Sequence, residues 1–385
     1  MVRIDMCAKD KVLGMRVLHV IGAMDRGGAE SLLMNIYRNI DRKKIQFDFL
    51  VHEDRKCDFD DEIESLGGGL FRIRRFNGMN GIAYRASCGA FFEENHDFAA
   101  VHVHIGSCAA MVIREAKKHG LYCIAHSHSK NGPLSPMELA FRFFSYPTRY
   151  LADYFLACSR TAGIDRFGLK VAESDRFAVL NNGIEIAKYC FDPAVRQKYR
   201  KSFGLLPFER AVCHVGRFVE QKNHRFLIEA FAKACGEDSN LKLFLVGRGP
   251  LESAVRAQVG ELGIDDRVVF LGVRDDVPSL LMAMDLFVFP SVTEGLGIAA
   301  IEAQAVGLPC LLSCELPDMA LCAPYAEKVS TLKYPSVWAD KIIEISPRSN
   351  AVRMDGQDFV RNAGFDVVET AAFLRGLYSG QAKPA

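Results

Sequence analysis

Short apolar runs rich in β-branched residues alternate with longer amphipathic stretches along almost the whole chain, and this rhythm constrains the fold most. Arg16 to Ile21, Gln46 to His52, Ala100 to His104, Tyr122 to Ala125, Tyr154 to Cys158 and Phe177 to Leu180 read as strands, most of them followed by helical periodicity. The first unit of this kind is complete by Asn39: a strand, the Gly27-Gly28 turn, then Leu32, Leu33, Ile36 and Tyr37 at helical spacing. Strands this apolar need cover on both faces, which parallel sheets obtain from the helices that connect them. A second series follows: Ala211 to Val215, Leu241 to Val246, Val268 to Leu271, Leu286 to Phe289 and Pro309 to Ser313. Between the two, Asn181-Asn182-Gly183 breaks the pattern. The charged stretch Asp192 to Leu205 reads as a helix, with the interdomain linker placed there. The halves share an architecture and no sequence repeat.

At 385 residues the chain has room for two domains, each with its own core. Lys and Arg number 48 against 47 Asp and Glu, a net charge of +1, which gives no general attraction to nucleic acid or to an anionic membrane. Leu280 to Pro290 is among the longest apolar stretches; Asp285 interrupts it, and it falls short of a membrane span. Met1 to Gly14 has no continuous apolar segment and does not read as a secretory signal; Met15 is a candidate natural start. Twelve scattered cysteines contain no C-x2-C pair, which favours reduced buried thiols and a cytoplasmic location.

The most informative segment is Pro290 to Ile298 (PSVTEGLGI), which follows a strand and precedes an apolar helix carrying a second carboxylate, Glu302. Gly295 and Gly297 allow close backbone approach to a ligand, and Leu296, Ile298 and their neighbours would turn free N–H groups toward it, as an anion requires. Read as one helix, Glu294 and Glu302 would lie on a similar face at different depths, so that each could hold one end of an elongated ligand. A helix cap with a solvated glutamate accounts for Glu294 alone, and not for the whole constellation.

At these residues the chain resembles the retaining glycosyltransferases of family 4, which have the GT-B fold. Their E-x7-E signature matches Glu294 and Glu302, and further family segments follow in order: Gly27-Gly28-Ala29-Glu30, Val101 to His104, His126-Ser127-His128, Asn182-Gly183-Ile184, Gly216-Arg217 with Lys222, and Gly247-Arg248-Gly249-Pro250. The likeness runs from about Met15 to Tyr378 and is strongest to bacterial exopolysaccharide and capsule transferases. It implies two Rossmann-like α/β domains facing a cleft: 15–190 for the acceptor, 191–355 for the nucleotide sugar, and a C-terminal helix within 356–380 that crosses back to the first domain.

The resemblance also assigns roles. Arg217 and Lys222 would stabilise the departing diphosphate, and these are the two cations needed if no metal takes part. No D-x-D motif sits in a strand-end loop, so metal-independent transfer is expected, with a nucleoside diphosphate sugar as donor substrate and no covalent cofactor. Glu294 would orient the sugar and Glu302 would accept from the ribose hydroxyls. Gly216, Gly247, Leu296, Ile298 and the Val273 loop would frame the donor, and Gly27 and Gly28 the acceptor cleft or donor phosphates. Without a well-placed nucleophile, same-face attack with retention is expected in transfer of a hexosyl group to a glycan, lipid-linked, in cell-surface polysaccharide synthesis. A non-catalytic glycan- or transferase-binding partner of the same fold is the alternative, and the presence of Arg217, Lys222, Glu294 and Glu302 speaks against it.

Eight of ten histidines precede residue 130. The family's sugar-contacting histidine is matched best by His128, with His126 as the alternative. A zinc site on His102, His104, His126 and His128 is disfavoured, because no carboxylate or cysteine completes it nearby and two of the four should face the core. Arg142 to Tyr150 mixes aromatic and basic residues; it reads equally as peripheral contact with the inner face of a membrane or as a buried helix whose arginines snorkel.

Overall fold

The computed structural model describes residues 14–25, 27–128, 135–345 and 353–380. The chain divides into two compact units, one made of residues 1–183 and 367–385, the other of 184–366. In the first unit, β1 (Met15–Val20), β2 (Ile45–Val51), β3 (Leu70–Arg72), β4 (Ala100–Val103), β5 (Tyr122–Ser127), β6 (Tyr154–Ala157) and β7 (Phe177–Val179) form one parallel sheet ordered β3-β2-β1-β4-β5-β6-β7. In the second, β8 (Arg210–Val215), β9 (Leu241–Val246), β10 (Val268–Gly272), β11 (Leu286–Phe289), β12 (Cys310–Ser313) and β13 (Ala326–Val329) form a parallel sheet ordered β10-β9-β8-β11-β12-β13. Each sheet winds outward in both directions from a central pair, β1 and β4 or β8 and β11.

Alternation along the strands explains the two cores of the first unit. Leu18, Val20, Val101, Val103, Cys123 and Ala125 face the helices Gly81–Glu94 and Gly106–Lys118. Val17, Phe47, Phe49, Ala100, Ile124 and Leu156 face the other way, against Gly28–Asn39 and the late helix Val367–Tyr378. That late helix buries Val367, Ala371, Leu374, Leu377 and Tyr378 in this layer.

The expected domain boundaries move. The first falls at 183/184, not 190/191, because Ile184, Ile186, Tyr189 and Phe191 are buried in the core of the second unit. The second falls at 366/367 and not at 355/356, because Val360 and Phe365 join that same core. Arg353 helps to hold the returning segment: it is buried and donates to the carbonyls of Leu281, Met282, Met284 and Val306, with its guanidinium over the Phe191 ring. The expected linker helix is Pro193–Ser202, capped by Asp192 and pinned to the second unit by Arg196 and Arg200, which both pair with buried Asp285. The edge strands β3 and β13 were not anticipated; both are short and only partly apolar.

Because Leu374 is fully buried, Leu374→Ala should destabilise the first unit by about 2–5 kcal/mol. The chain's single tryptophan, Trp338, lies in the second unit. In urea, the variant should therefore advance part of the circular dichroism transition while the tryptophan fluorescence transition stays in place. A dichroism transition identical to wild type would show that this helix carries no core of the first unit.

Candidate functional site

In the second unit the winding reverses between β8 and β11, and the loops at the carboxyl ends of those two strands come together there. Such a reversal leaves a crevice at the strand ends where open α/β sheets bind ligands. The loop after β8 carries Gly216, Arg217 and Lys222; the loop after β11 runs from Pro290 to Gly297. They are stitched by the Val292 N–H donating to the Gln221 carbonyl at 2.9 Å, Gln221 Nε2 to Thr293 O at 2.6 Å, and Asn223 Nδ2 to Pro290 O at 3.2 Å. Asn223, with φ of 55°, has the left-handed backbone that ends the Lys222 turn and starts the helix His224–Glu237.

Within this frame Lys222 Nζ is ion-paired with Glu294 Oε1, and the ammonium also sits 4.7 Å from the Phe289 ring centroid. Both side chains are largely shielded, with relative exposures of 18% and 8%. Arg217 is exposed and has no ion-pair partner among the described residues. The Gly247 loop after β9 packs on the same backbone: a Cβ on Gly247 would meet the Gly216 carbonyl at 2.1 Å, and one on Gly249 would meet the Phe218 carbonyl at 2.4 Å. Those two glycines are thus required by close approach of two loops. Val273, just past β10, is exposed at the neighbouring strand end.

The two glutamates do not share a helix. The helix begins at Ile298 and runs to Ala305, and Gly297 precedes it in the left-handed region with φ of 79°. Glu294 therefore belongs to the loop and Glu302 to the helix, which corrects the one-face reading. Leu296 is buried beneath this turn, while Gly295 has open space where a side chain would stand.

Glu302 accepts a 2.6 Å hydrogen bond from the hydroxyl of Tyr189, a residue that sequence reasoning missed. Its only signal was its place shortly after the Asn182-Gly183-Ile184 segment. Burial drives the Glu302 carboxyl up to about 7, with the Tyr189 hydrogen bond opposing the shift.

The remaining expected residues lie in the first unit. His126 and His128 follow one another along the end of β5, beside His102, His104 and His19. Gly27 caps the helix Gly28–Asn39 from an extended conformation, and a Cβ there would strike the Glu30 carboxylate at 2.2 Å. Gly28 has open space around it. The segment from Arg142 to Tyr150 is not a buried helix. Phe143, Tyr146 and Tyr150 are exposed, Arg142 pairs with Glu138 at 2.9 Å, and Arg149 lies over the Tyr146 ring.

Residues 195–319 match the family profile described as Glycosyl transferases group 1. Over 369 residues the chain is 31% identical to the putative glycosyltransferase EpsF of Bacillus subtilis (strain 168), covering 94% of this chain and 96% of that one. The chain belongs to the group 1 glycosyltransferases. Over 144 residues it is 34% identical to an Escherichia coli UDP-Gal:alpha-D-GlcNAc-diphosphoundecaprenol alpha-1,3-galactosyltransferase, covering 36% of each chain. The crystal structure of Anabaena Alr3699/HepE in complex with UDP superposes with a TM-score of 0.78 at 20% identity, covering 95% of this chain and all of that one, and so shows the GT-B fold. The resemblance to exopolysaccharide-type enzymes is likewise shown.

The pH dependence of stability follows from Glu302. A carboxyl whose value is raised on folding favours the folded state fully below the unfolded value of 4.5, and this contribution is lost as pH rises through about 7. Glu302→Gln has no such titration. In urea unfolding, its stability relative to wild type should rise between about pH 4.5 and 7 and level off above; a constant difference across that range would contradict the raised value.

Proposed function

We propose that this glycosyltransferase moves a hexosyl group from a nucleoside diphosphate sugar to a hydroxyl of a lipid-linked glycan, with retention at the anomeric carbon and without a metal at the diphosphate. The observation that carries this reading is the shielded Lys222–Glu294 pair, which joins the loops on either side of the sheet's reversal beside the Gly297 helix start. A diphosphate can take up the Lys222 charge and leave Glu294 for the sugar hydroxyls. Arg217, exposed at the same strand end, supplies a second cation with a fork suited to phosphate oxygens.

The roles follow from where charge develops. As the carbon–oxygen bond to the donor phosphate breaks, negative charge grows on the diphosphate, and Arg217, Lys222 and the N–H groups near Gly297 stabilise it. The sugar becomes oxocarbenium-like, and the acceptor hydroxyl attacks from the face that the diphosphate leaves, passing its proton to the leaving phosphate. Glu294 orients the ring. Glu302 accepts from the ribose hydroxyls, Val273 and its loop lie by the base, and His128 or His126 contacts the transferred sugar. A bound UDP and a bound UDP-glucose in the Anabaena neighbour support the donor class, and the name of the Escherichia coli relative supports the lipid-linked acceptor.

Titration calorimetry with UDP, GDP and ADP should show binding of one of them that survives EDTA; abolition by the chelator would overturn metal independence. Arg217→Ala should lower kcat by about 10²–10³, and Glu294→Ala should lower kcat more than affinity. Glu302→Ala should mainly weaken nucleotide binding. Equal losses of affinity in the two glutamate variants would contradict this division. If the ribose needs the ionised carboxylate, a value of about 7 for Glu302 makes nucleotide affinity rise about tenfold from pH 6 to pH 8; Glu302→Gln should bind with a flat profile.

Peripheral contact with a membrane is the second part of the proposal. Among the described residues no helix is long and apolar enough to cross a membrane. Instead, a cavity of about 1080 Å³ in the first unit has apolar walls from Ile82, Met111, Phe143 and Tyr146 and a charged rim in which Arg85, Arg114, Lys118 and Arg142 outnumber Glu93 and Glu115, Arg85 and Lys118 both pairing with Glu115. Exposed Met79, Ile82, Met137 and Phe143 extend the apolar surface. Two cations add only about 1 kcal/mol each near an anionic surface, so binding should be reversible and salt-sensitive. Arg142→Glu with Arg149→Glu should reduce sedimentation with anionic vesicles at low salt while circular dichroism stays native. A folded variant that sediments as wild type does would exclude this segment.

A further inference from the structure

The first sheet reverses between β1 and β4, and five imidazoles gather on one of its faces at that point. His19 lies opposite His102 in the register of β1 and β4; His104 follows two residues on, and His126 and His128 continue the row on β5 and its end. Strand alternation puts all five on the side covered by Gly28–Asn39 and Val367–Tyr378. Ring centroids separate His126 from His128 by 4.1 Å, and from His104 by 5.3 Å.

Hydrogen bonding among the rings cannot satisfy them. His104 Nδ1 lies 2.8 Å from His128 Nε2, and its Nε2 lies 3.0 Å from His19 Nδ1, while His102 Nδ1 meets the Tyr378 hydroxyl at 2.7 Å. Among the described residues, that leaves both nitrogens of buried His126, Nδ1 of His128, and Nε2 of His19 and His102 shielded from solvent without a partner. Each neutral imidazole has one donor and one acceptor, and leaving them buried and unmet is costly. Neutral imidazole is the form that binds metal.

We propose that His104, His126 and His128 form a binding site for a zinc-class divalent cation, with His19 orienting His104 from behind. One ligand nitrogen from each of the three lies within 4.8 Å of the other two. Zinc–nitrogen bonds of about 2.0–2.1 Å in a tetrahedral site set the nitrogens roughly 3.3 Å apart. The 2.8 Å between His104 and His128 thus needs only a small opening. With Nδ1 of His104 on the metal, its Nε2–H donates to His19 Nδ1, the outer hydrogen bond that fixes a ligating histidine.

His19, His102 and His104 also converge, but His19 is covered by Phe47, Phe49 and Tyr378, and His102 is engaged by the Tyr378 hydroxyl. The outer three line a cavity of about 320 Å³ together with Glu30, Phe141 and Arg166, which leaves the fourth coordination position facing open volume. An all-imidazole set suits zinc, copper or nickel, not the oxygen-seeking magnesium or calcium. The sequence spacing disfavoured zinc because no carboxylate or cysteine was near. In the fold, three of the four histidines considered there, His104, His126 and His128, converge without either. This site takes up His126 and His128 and is therefore an alternative to direct contact of either ring with the transferred sugar, while the diphosphate roles of Arg217, Lys222 and Glu294 in the second unit are unaffected.

The test uses the full chain without a histidine tag, stripped by chelator. Zinc titration against a competing indicator should give one site per chain, and cobalt should give the intense visible bands of a tetrahedral nitrogen site. His126→Ala removes an imidazole that makes no hydrogen bond among the described residues, and should weaken zinc at least tenfold and abolish the bands. His128→Gln should do the same and serves if the first variant fails to fold by circular dichroism. His96→Ala with His119→Ala removes the exposed stacked pair and should change nothing. Wild-type affinity no tighter than that of folded His126→Ala, or loss only in the His96 and His119 variant, would overturn the site.

Discussion

A parallel strand pair cannot be closed by a hairpin, so every connection must cross the sheet as a helix or loop and return to the same end. Everything else in this protein depends on that constraint. It buries strands on both faces, sends the loops that follow strands to one edge, and opens a gap where the winding turns from one direction to the other. Both sheets have such a reversal, β1 against β4 and β8 against β11. One gathers five histidines, and the other gathers Arg217, Lys222 and Glu294. The buried Asp285 shows the same constraint in the frame. It lies at the start of β11, accepts from the Ala211 N–H of neighbouring β8 and binds Arg196 and Arg200. Burial would raise its carboxyl, but the two guanidinium charges and the N–H outweigh this and hold it below the usual range.

The two glutamates of the second unit illustrate how environment separates like residues. Glu294 faces an ammonium and remains the partner of a charge. Glu302, eight residues on, faces a phenol and an apolar surround, and its proton is held to about neutral pH. Two carboxylates on one short segment thereby offer a ligand two different chemistries.

Much of this was legible from the chain. Eleven strands appear within two residues of their expected bounds, since a strand buried on both faces is a run of apolar residues whatever its neighbours. Of the four edge strands, β7 and β10 are apolar runs and were legible, whereas β3 and β13 escaped because they are short and carry Arg72, Glu327 and Lys328. Motif residues around Glu294 were found where glycines and strand ends coincide, and the helix starts near Gly297 as expected; the helical spacing from Glu294 to Glu302 fails because left-handed Gly297 separates loop from helix. Tyr189 and the convergence of His19 with His104 were illegible for another reason. Both depend on contacts between elements tens to more than a hundred residues apart, which no local pattern records.

The second unit is an insertion within the first. Its ends lie side by side, with the Ile184 N–H bonded to the Phe365 carbonyl at 2.8 Å, and the chain then resumes the first unit at Val367. On the ribosome, the sheet of the first unit is complete by β7, but the helix Val367–Tyr378 that covers one of its faces comes only after the whole second unit has been made. At roughly 5–20 residues per second, that interval is about 10–40 s. Through it the face bearing Phe47, Phe49 and the histidine row is without its late helix, while the continuous second unit can fold at once. The nascent first unit is therefore the stage at which this chain is most open to capture by a chaperone or by another chain.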